Sequence, residues 1–445
     1  MFSTSDTIVA VATPPGRGSL GVVRLSGPDA HAIARRLIAR TSPLLPRHAT
    51  FARISVDHTP IDHVVATFFP GPKSYTGDDT VEFSAHGSVV LLRAIVAAAA
   101  DAGARLAEPG EFTLRAFLNG RIDLMQAEAV ADLIDAVTPL QARVAFDQLQ
   151  GTLTGAIGEM SHALFDLIAR LEASVDFPEE GYRFLQPDEL TTALDALVAR
   201  TSRLLADARR GRLVREGFQV AIVGKPNVGK SSLFNALAGA SRSIVTSIPG
   251  TTRDVLADVV DINGFRVTLV DTAGLHPTED EIEAEGIVRA RQALASSDLV
   301  LVVVDATQPL DQRDRDVLQH TIDNKRLIVS NKCDIASSAD EELPVSAKTG
   351  AGLDVLRSRL TSALDAEPTR DRPAISNLRH INLVQLAHDA LARAFGAVGS
   401  SGRDLPEEFV LADLQQAQAA LDEVSGRRAP DDLLDHIFSR FCVGK

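Results

Sequence analysis

Cysteine is scarce in this sequence, which contains only Cys333 and Cys442 among its 445 residues. Two cysteines do not provide the disulfide framework that stabilises many small secreted domains. The first residues also lack a basic segment followed by an apolar core, so they do not resemble a secretory signal. We therefore expect a cytoplasmic protein whose thiols remain reduced.

Long apolar runs and excess positive charge are missing as well. No stretch of about 18 apolar residues occurs, which predicts that the chain has no membrane span. The formal net charge is −14, and this argues against nonspecific binding of polyanions, because phosphate neutralisation requires clustered Lys and Arg. Nucleic acid is not excluded, since a local basic patch or a partner subunit can supply the positive field.

The length and the hydrophobic pattern predict several domains. A chain of 445 residues is too long for one hydrophobic core and suggests roughly two to four domains. Residues 1–119 contain strand-like runs (TIVAVA, GVVRLS, HVVATFF and TVEFSA) and the helix-like run SVVLLRAIVAAAADA. This mixture, bounded by Gly and Pro, predicts an α+β domain.

Helical periodicity surrounds a central region that has a different pattern. Residues 120–216 and 368–445 show the three- and four-residue spacing of amphipathic helices. Residues 217–367 contain the apolar runs FQVAIV, VTLVD, LVLVVVD and LIVSN, which are typical of parallel strands buried on both faces. We predict a discontinuous helical domain with an inserted α/β domain, an arrangement that requires the inserted termini to lie close together.

A phosphate-binding loop is predicted at residues 224–231, GKPNVGKS, which match G-x-x-x-x-G-K-[ST] between a strand and a helix. Backbone amides and the positive end of the helix dipole bind phosphate in such loops. We expect Lys230 to reach the β- and γ-phosphates and the Ser231 hydroxyl to bind Mg²⁺. The predicted nucleotide contacts here are Asn227, Val228, Gly229, Lys230, Ser231 and Ser232.

Three further motifs follow in order at predicted strand ends. The first motif places the Asp271 carboxylate near Mg²⁺ and the Gly274 amide near the γ-phosphate; its residues are Asp271, Thr272, Ala273 and Gly274. Asn331, Lys332 and Asp334 form a guanine motif, and Ser346, Ala347 and Lys348 would close over the base. A carboxylate at Asp334 accepts two hydrogen bonds from guanine, whereas adenine has no such donor pair, so a wrong base leaves the carboxylate unpaired. These motifs predict GTP as the ligand.

The position that often carries a water-orienting Gln in GTPases is Leu275 here. Another group must therefore position the attacking water or stabilise the developing charge. The candidates are a monovalent cation, Arg253 acting on its own or a second subunit, or an acid of the following loop, which contains Glu279, Asp280, Glu281 and Glu283. Thr251 and Thr252 lie where a switch loop supplies a hydroxyl to Mg²⁺.

Four segments resemble the MnmE (TrmE) family of tRNA modification GTPases. They are TPPGRG at 13–18, GEFTLRAFLNGRIDLMQAEAVADLI at 110–134, SRSIVTSIPGTTRDV at 241–255 and FCVGK at 441–445. The resemblance implies an N-terminal tetrahydrofolate-binding and dimerisation domain (1–119), a helical domain in two segments (120–216 and 368–445) and an inserted P-loop GTPase domain (217–367). It also implies a homodimer whose GTPase domains pair during hydrolysis.

The resemblance assigns further roles at the nucleotide site. Glu283 would arrange the attacking water and act with Lys230 and Asp271. K⁺ would take the place of an arginine finger, and Mg²⁺ would bind Ser231 and Thr252. The K⁺ ligands would be Asn227, Thr246, Ile248 and Thr251, and the GTP contacts would extend through the whole switch segment, Thr246, Ser247, Ile248, Pro249, Gly250, Thr251 and Thr252.

The resemblance also implies a folate site, formed by Arg24, Glu82, Arg121 and Lys445, for 5-formyl- or 5,10-methylene-tetrahydrofolate. Arg121 stands where relatives carry Lys, so the charge is kept while the donor geometry changes. From the pattern alone, Arg24 and Glu82 are expected to be exposed strand residues. Cys442 is expected to pack at the end of a helix, and the shared FCVGK ending adds a redox or covalent role as a hypothesis.

The implied reaction requires a partner, the flavoprotein MnmG (GidA), in a heterotetramer or larger complex. The pair would form an aminomethyl or carboxymethylaminomethyl group on C5 of the wobble uridine of certain tRNAs, with a methylene-tetrahydrofolate one-carbon unit. Two other functions remain open. One is a ribosome-assembly GTPase, and the other is a folate-dependent aminomethyl transferase with a regulatory GTPase domain.

Overall fold

The computed structural model describes residues 5–57, 59–176, 186–239, 257–271, 294–336, 343–364, 375–400 and 407–444. The chain divides into two compact units. The first comprises Met1–Ala131, Leu149–Ser161 and Gln418–Lys445, and the second comprises Asp132–Gln148 and His162–Ala417.

The first unit contains a six-stranded sheet in the order β3-β4-β5-β2-β1-β6. Its strands are β1 (Ile8–Val11), β2 (Gly21–Ser26), β3 (Thr50–Val56), β4 (Thr59–Phe69), β5 (Thr80–Ala85) and β6 (Arg105–Leu106). All neighbours are antiparallel except β1 and β6, which are parallel. The four strands predicted from the sequence are confirmed, and β3 and β6 are additional.

The second unit contains another six-stranded sheet, in the order β12-β11-β10-β7-β9-β8. Its strands are β7 (Phe218–Val223), β8 (Ala257–Ile262), β9 (Phe265–Asp271), β10 (Leu299–Asp305), β11 (Arg326–Asn331) and β12 (Pro344–Val345). Only β8 and β9 pair antiparallel, and the other neighbours are parallel. The predicted, mostly parallel sheet is confirmed.

The helices account for most of the remaining described chain. In chain order they are α1 (Ala30–Leu37), α2 (Val89–Asp101), α3 (Glu111–Leu118), α4 (Leu124–Asp135), α5 (Pro139–Leu149), α6 (Thr152–Asp176), α7 (Pro187–Ala206), α8 (Ala208–Glu216), α9 (Lys230–Gly239), α10 (Gln312–His320), α11 (Leu353–Ala363), α12 (Leu378–Ser400), α13 (Glu407–Ser425) and α14 (Asp431–Phe438). None of these helices in the described residues is long and apolar enough to cross a membrane.

Burial on both faces explains the parallel sheet of the second unit. Every residue of β10, LVLVVVD, is buried. Leu301 and Val303 join one core together with Leu233 and Leu237 of α9. Val300 and Val302 join a second core on the other face. The alternation along one strand therefore supplies apolar side chains to two layers, which is why the run lacks polar residues until Asp305.

One predicted helix ends earlier than expected. The sequence pattern placed Cys442 at the end of a helix, but α14 ends at Phe438. Phe438 and Phe441 both bury their rings against α3 and α4 in a small core of the first unit. Packing of Phe441 after the helix end leaves Cys442 exposed, so the expectation that Cys442 packs in an interior is wrong.

Candidate functional site

The phosphate-binding loop connects β7 to α9 at the carboxyl edge of the parallel sheet. Gly229 has a φ of 94°, and a β-carbon added there would clash with the side-chain amide of Asn331. Asn227 also has a left-handed backbone, with a φ of 66°. The sequence therefore needs glycine where the guanine motif touches the loop, and the close approach joins two predicted motifs.

Lys230, the first residue of α9, is only 6% exposed. Its Nζ donates hydrogen bonds to the carbonyl oxygens of Gly224 at 2.8 Å and Lys225 at 2.9 Å. These carbonyls belong to the loop itself, so they hold the ammonium group against the loop whose amides would bind phosphate. The arrangement suits a lysine that contacts the phosphates of a bound nucleotide.

Asn331 connects the phosphate loop to the segment that follows β12. Its side chain is 2% exposed. The amide nitrogen donates to the Val228 carbonyl oxygen at 2.8 Å, and the amide oxygen accepts from the Ala347 N–H at 3.0 Å. Both ends of this side chain are thus engaged by protein, and Asn331 acts as a bridge between three loops.

Asp334 lies beside the same segment but keeps accessible surface. Its Oδ1 accepts a hydrogen bond from the Ser346 hydroxyl at 2.6 Å, while the residue as a whole is exposed. The Ser346 side chain is fully buried, so its hydroxyl fixes the orientation of the carboxylate from the interior of the domain. A fixed, accessible carboxylate at this edge can accept the two N–H donors of guanine. Lys348, two residues after Ser346 in the chain, is exposed.

Lys332 adds a second link from the guanine motif to the phosphate loop. Its Nζ donates to the Asn227 carbonyl oxygen at 3.0 Å and forms an ion pair with Asp305 at 2.6 Å. Burial by itself would raise the pKa of Asp305, but hydrogen bonds from Lys332 and Thr307 outweigh it and lower the pKa. Asp305 was not predicted as a site residue, although its position at the carboxyl end of buried β10 was a usable signal.

A second unpredicted contact fixes the start of the phosphate loop. Lys225 pairs with Asp314 at 2.6 Å and with Asp311 at 3.0 Å. These two acids also form the capping box of α10, in which each side chain accepts the backbone N–H of the other residue. The backbone N–H of Asp314, then the Lys225 ammonium and the Arg313 N–H, lower the pKa of Asp311 to about 2. Since Asp314 is 3% exposed on its side chain, the loop is tied to the interior.

A cavity of about 560 Å³ adjoins these residues. It is lined by Lys225, Asn227, Asp305 and Lys332 among others. The structure therefore brings together the phosphate loop, the guanine motif and the Ser346 segment predicted from sequence, with a concave surface beside them.

Several predicted residues lie outside the described part of the chain. They are the switch residues Thr246, Ser247, Ile248, Pro249, Gly250, Thr251, Thr252 and Arg253, then Thr272, Ala273, Gly274 and Leu275, and the acids Glu279, Asp280, Glu281 and Glu283. Asp271 ends β9, as the motif requires, but its side chain is not described. The proposed roles of these residues remain predictions.

The first unit contains a second polar cluster, in which Arg24 and Glu82 face each other across β2 and β5. Their side chains form an ion pair at 2.8 Å and are only 17% and 29% exposed. The Arg24 guanidinium also lies 5.4 Å from the centre of the Tyr75 ring and 5.6 Å from that of Phe112. The expectation from the pattern alone that both residues would be exposed is therefore wrong.

The C-terminal tail reaches the same cluster. The Gly444 carbonyl oxygen accepts a hydrogen bond from Arg24 Nη1 at 3.4 Å, and Val443 forms an isolated bridge with Pro109. Gly444 has a φ of 95°, and a β-carbon there would clash with the Val11 carbonyl oxygen. The tail is thus held against β1. Arg121 is exposed, and Lys445 lies outside the described residues.

The geometry at the carboxyl edge of the second sheet defines a P-loop GTPase. Comparison with known protein families supports this class and identifies the family. The model of the GTP-binding protein TrmE N-terminus matches residues 7–121, and the model of the MnmE helical domain matches residues 124–442. The chain belongs to the MnmE family of tRNA modification GTPases.

Individual relatives match over the full length. The tRNA modification GTPase MnmE of Bordetella petrii is 43% identical over 453 aligned positions, covering 100% of this chain and 99% of that protein. The MnmE of Koribacter versatilis is also 43% identical, with 100% of both chains covered. A crystal structure of Era from Aquifex aeolicus shares 30% identity over 39% of this chain and 66% of that chain, with a TM-score of 0.28 that is too low for a comparison of folds.

These matches confirm the predicted fold class, which combines an N-terminal TrmE domain, a helical domain and a GTPase domain with a mostly parallel sheet. The predicted domain boundaries at 119, 216 and 367 remain predictions.

Proposed function

We propose that this GTPase drives modification of the wobble uridine of certain tRNAs together with the flavoprotein MnmG (GidA). In this proposal a methylene-tetrahydrofolate one-carbon unit becomes part of an aminomethyl or carboxymethylaminomethyl group on C5. The GTPase assignment rests on the hydrogen bonds that join Asn331 and Lys332 to the phosphate loop and on those that join Asn331 and Asp334 to the Ser346 segment. Such a network makes phosphate binding and guanine recognition parts of one structure. A tRNA substrate is consistent with a cytoplasmic location.

GTP would be held by this chain at three places. Lys230 would contact the β- and γ-phosphates, Asp334 would accept the guanine donors, and Ser231 and Thr252 would hold Mg²⁺. When bound, Mg²⁺ neutralises developing charge on the phosphates. Glu283 is the proposed residue that orients the attacking water.

We assign the charge-stabilising role to K⁺, with Asn227, Thr246, Ile248 and Thr251 as ligands. Of these, Asn227 is described. Its backbone is left-handed, and its carbonyl oxygen is held by Lys332 Nζ at 3.0 Å. A fixed backbone at this position supports a role for the exposed side-chain oxygen of Asn227 as a cation ligand.

A direct test compares GTP hydrolysis in potassium and sodium at equal ionic strength. We expect a faster rate in potassium, and the Asn227→Ala variant should lose that difference. Equal rates for the wild-type protein in the two salts would remove the cation role from Asn227 and the switch loop.

The folate proposal rests on the cluster in the first unit. Glu82 offers a carboxylate suited to the paired N–H donors of a pterin ring, and Arg24 offers a cation suited to a glutamate tail. The pair lies beside the Tyr75 and Phe112 rings and the C-terminal tail. This set of donors, acceptors and rings fits a flat, polar ligand with a carboxylate. When bound, the folate would supply the one-carbon unit.

The complete proposal is tested by nucleoside mass spectrometry of tRNA. A strain that lacks this chain should contain unmodified wobble uridine, and the wild-type gene should restore the modified nucleoside. Purified protein should form a homodimer and a larger complex with MnmG. If the strain without this chain still contains the modified wobble uridine, the proposed reaction is rejected, while the GTPase assignment stands.

A further inference from the structure

Helix α8 is strongly basic although the chain as a whole is acidic. Its sequence, ARRGRLVRE, contains Arg209, Arg210, Arg212 and Arg215 within a chain of net charge −14. Arg210 pairs with Asp207 at 3.9 Å, and Arg215 pairs with Asp132 at 2.8 Å. These two arginines are half-buried, whereas Arg209 and Arg212 are exposed, and Arg212 forms an exposed pair with Glu216 on the same helix.

Arg209 and Arg212 line a cavity of about 510 Å³ with two cations from other elements. Arg266 comes from the beginning of β9, and Lys325 immediately precedes β11. All four therefore gather at the amino-terminal edge of the parallel sheet. The GTP residues lie at the carboxyl edge, so this cavity is separate from the nucleotide site.

The acids near the cavity are already engaged. Glu216 pairs with Arg212 at 2.7 Å, and Asp298 accepts a hydrogen bond from the Gln219 N–H at 2.8 Å. Asp261 stands opposite Arg266 in the strand register, but its Oδ1 accepts from the Gly264 N–H at 2.7 Å. Two lining acids oppose four lining cations, so the cavity has a local excess of positive charge.

Three of the cations have no carboxylate partner within the described ranges: Arg209, Arg266 and Lys325. The Nε of Arg266 is in addition buried without a hydrogen-bond partner there. A buried donor that lacks a partner costs free energy. Guanidinium groups match the oxygen geometry of phosphate, and lysine adds a point charge.

We propose that this cavity, formed by Arg209, Arg212, Arg266 and Lys325, binds the phosphodiester backbone of RNA. Under the proposed function, on which this inference rests, that RNA is the tRNA substrate. An acidic chain repels a polyanion over most of its surface, so the approach of RNA is directed to the place where cations gather. When cations contact the phosphates of an RNA, they fix its position without reading its bases. This mode of binding fits a protein that must hold tRNAs of different sequence.

The test uses a triple variant, Arg209→Gln/Arg266→Gln/Lys325→Gln, and a control with the same change in charge. The control, Arg210→Gln/Arg357→Gln/Arg393→Gln, removes three cations that pair with Asp207, Asp354 and Asp413 and do not line the cavity. Binding of fluorescein-labelled tRNA transcript to the full chain is measured by anisotropy over a range of KCl concentrations.

We expect the cavity variant to bind tRNA roughly 10- to 100-fold more weakly than the wild-type chain at low salt. The slope of log K against log salt should become shallower by about 2 to 3, because each lost phosphate contact contributes roughly 0.7 to 0.9. The control should retain most of the affinity and the slope. GTP hydrolysis without RNA should be the same in all three proteins, which verifies that the GTPase domain is folded.

Three results would overturn the inference. They are equal loss of affinity in the control and the cavity variant, unchanged affinity in the cavity variant, and binding of inorganic phosphate at the cavity with no change in RNA affinity. The proposed function is judged separately, in the strain without this chain. If the wild-type gene restores modified wobble uridine while the cavity variant binds tRNA normally, only the cavity inference fails.

Discussion

At the scale of single residues, Asn331 and Asp334 of the guanine motif differ in burial and in hydrogen bonding. Asn331 is buried and has both ends of its amide engaged by the protein. Asp334 is exposed and has one contact described, from the Ser346 hydroxyl. Asn331 therefore holds the loops of the site together, whereas the Asp334 carboxylate is accessible to a ligand.

This division predicts the effect of Asp334→Asn. The amide replaces an acceptor with a donor, so guanine loses its partner and GTP should bind roughly 10- to 100-fold more weakly. Xanthosine triphosphate, which carries a carbonyl in place of the exocyclic amine, should bind better to the variant than to the wild type. Fluorescence titration with labelled nucleotides measures both affinities.

The matched control is Asp354→Asn, which changes an exposed carboxylate that pairs with Arg357. It should leave the affinities for GTP and xanthosine triphosphate unchanged. If Asp334→Asn retained wild-type preference for GTP, Asp334 would not be the residue that reads the base.

The sequence pattern located these residues because each motif is continuous and follows an apolar strand. It missed Lys225, Asp305 and Asp314, whose pairings join residues far apart in the chain. It also expected Arg24 and Glu82 to be exposed on the basis of pattern, although they pair across 58 positions. Pairing of this kind depends on which strands become neighbours, and local periodicity does not contain that information.

At the scale of elements, the phosphate loop depends on the close approach of Gly229 to Asn331. Alanine at position 229 would be strained by the left-handed backbone and would clash with the Asn331 amide. A left-handed non-glycine residue costs about 1–3 kcal/mol before the clash is counted. We expect Gly229→Ala to abolish measurable GTP binding in a calorimetric titration.

The control for that variant is Gly239→Ala at the other end of α9, where an added β-carbon meets nothing within 4 Å. It should bind GTP with wild-type affinity. Retention of GTP binding by Gly229→Ala would show that the loop and the guanine motif can separate without loss of function.

A cluster of charged residues connects α3, β6 and the segment just before β1 in the first unit. Arg115 in α3 is 1% exposed and pairs with Glu111 at 2.9 Å and with Asp6 at 2.6 Å. Asp6 and Glu111 also pair with Arg105 in β6. Burial would raise the pKa of Glu111, but hydrogen bonds from Arg105, the Glu108 N–H and Arg115 outweigh it, so the pKa is lowered.

The lowered pKa gives a pH dependence with a definite sign. A carboxyl group whose pKa is lower in the folded state stabilises that state above its unfolded pKa, and the stabilisation is lost as the pH falls. Protection of β1 and α3 against hydrogen exchange should therefore decrease when the pH is lowered below about 4.

Arg115→Met should reduce the opening free energy of these segments at pH 7 by about 3–5 kcal/mol, because a buried carboxylate loses a partner. Arg170→Met removes an exposed pair with Glu189 and should cost less than about 1 kcal/mol. Equal protection in the wild type and Arg115→Met at pH 7 would contradict a stabilising role for the cluster.

The inner strands of each sheet were the ones that the sequence predicted well. All of β10 is buried, whereas β3 has a mixed pattern at the edge of its sheet and β6 contains two exposed residues. Edge strands keep polar side chains on open surfaces, so their sequence signal resembles that of a loop. The early end of α14 was missed because the apolar spacing continues to Phe441, which packs after the helix has ended.

At the scale of the whole molecule, the residues proposed for GTP and those proposed for folate belong to different compact units. A change in the tail should therefore separate the two activities. Gly444→Ala would clash with the Val11 carbonyl and displace the tail from Arg24. We expect tRNA from cells carrying this variant to lack the modified wobble uridine, while the purified protein hydrolyses GTP at the wild-type rate.

The matched variant at the tail is Cys442→Ser, which keeps the size and exposure of the side chain. Loss of modified uridine in this variant, with normal folate binding, would support the redox or covalent hypothesis for Cys442. Full modification would limit the role of the tail to its backbone contacts. Loss of GTP hydrolysis in Gly444→Ala would show that the tail also affects the other unit.

The double engagement of Asn331 has a consequence for protein engineering. Under the proposed function, base preference can be altered independently at Asp334, because that carboxylate has one described neighbour. Any substitution at Asn331 instead releases the Val228 carbonyl and the Ala347 amide together. A redesign for another nucleobase should therefore begin at Asp334 and leave Asn331 intact, since the Asn331 side chain connects the phosphate loop to the segment after β12.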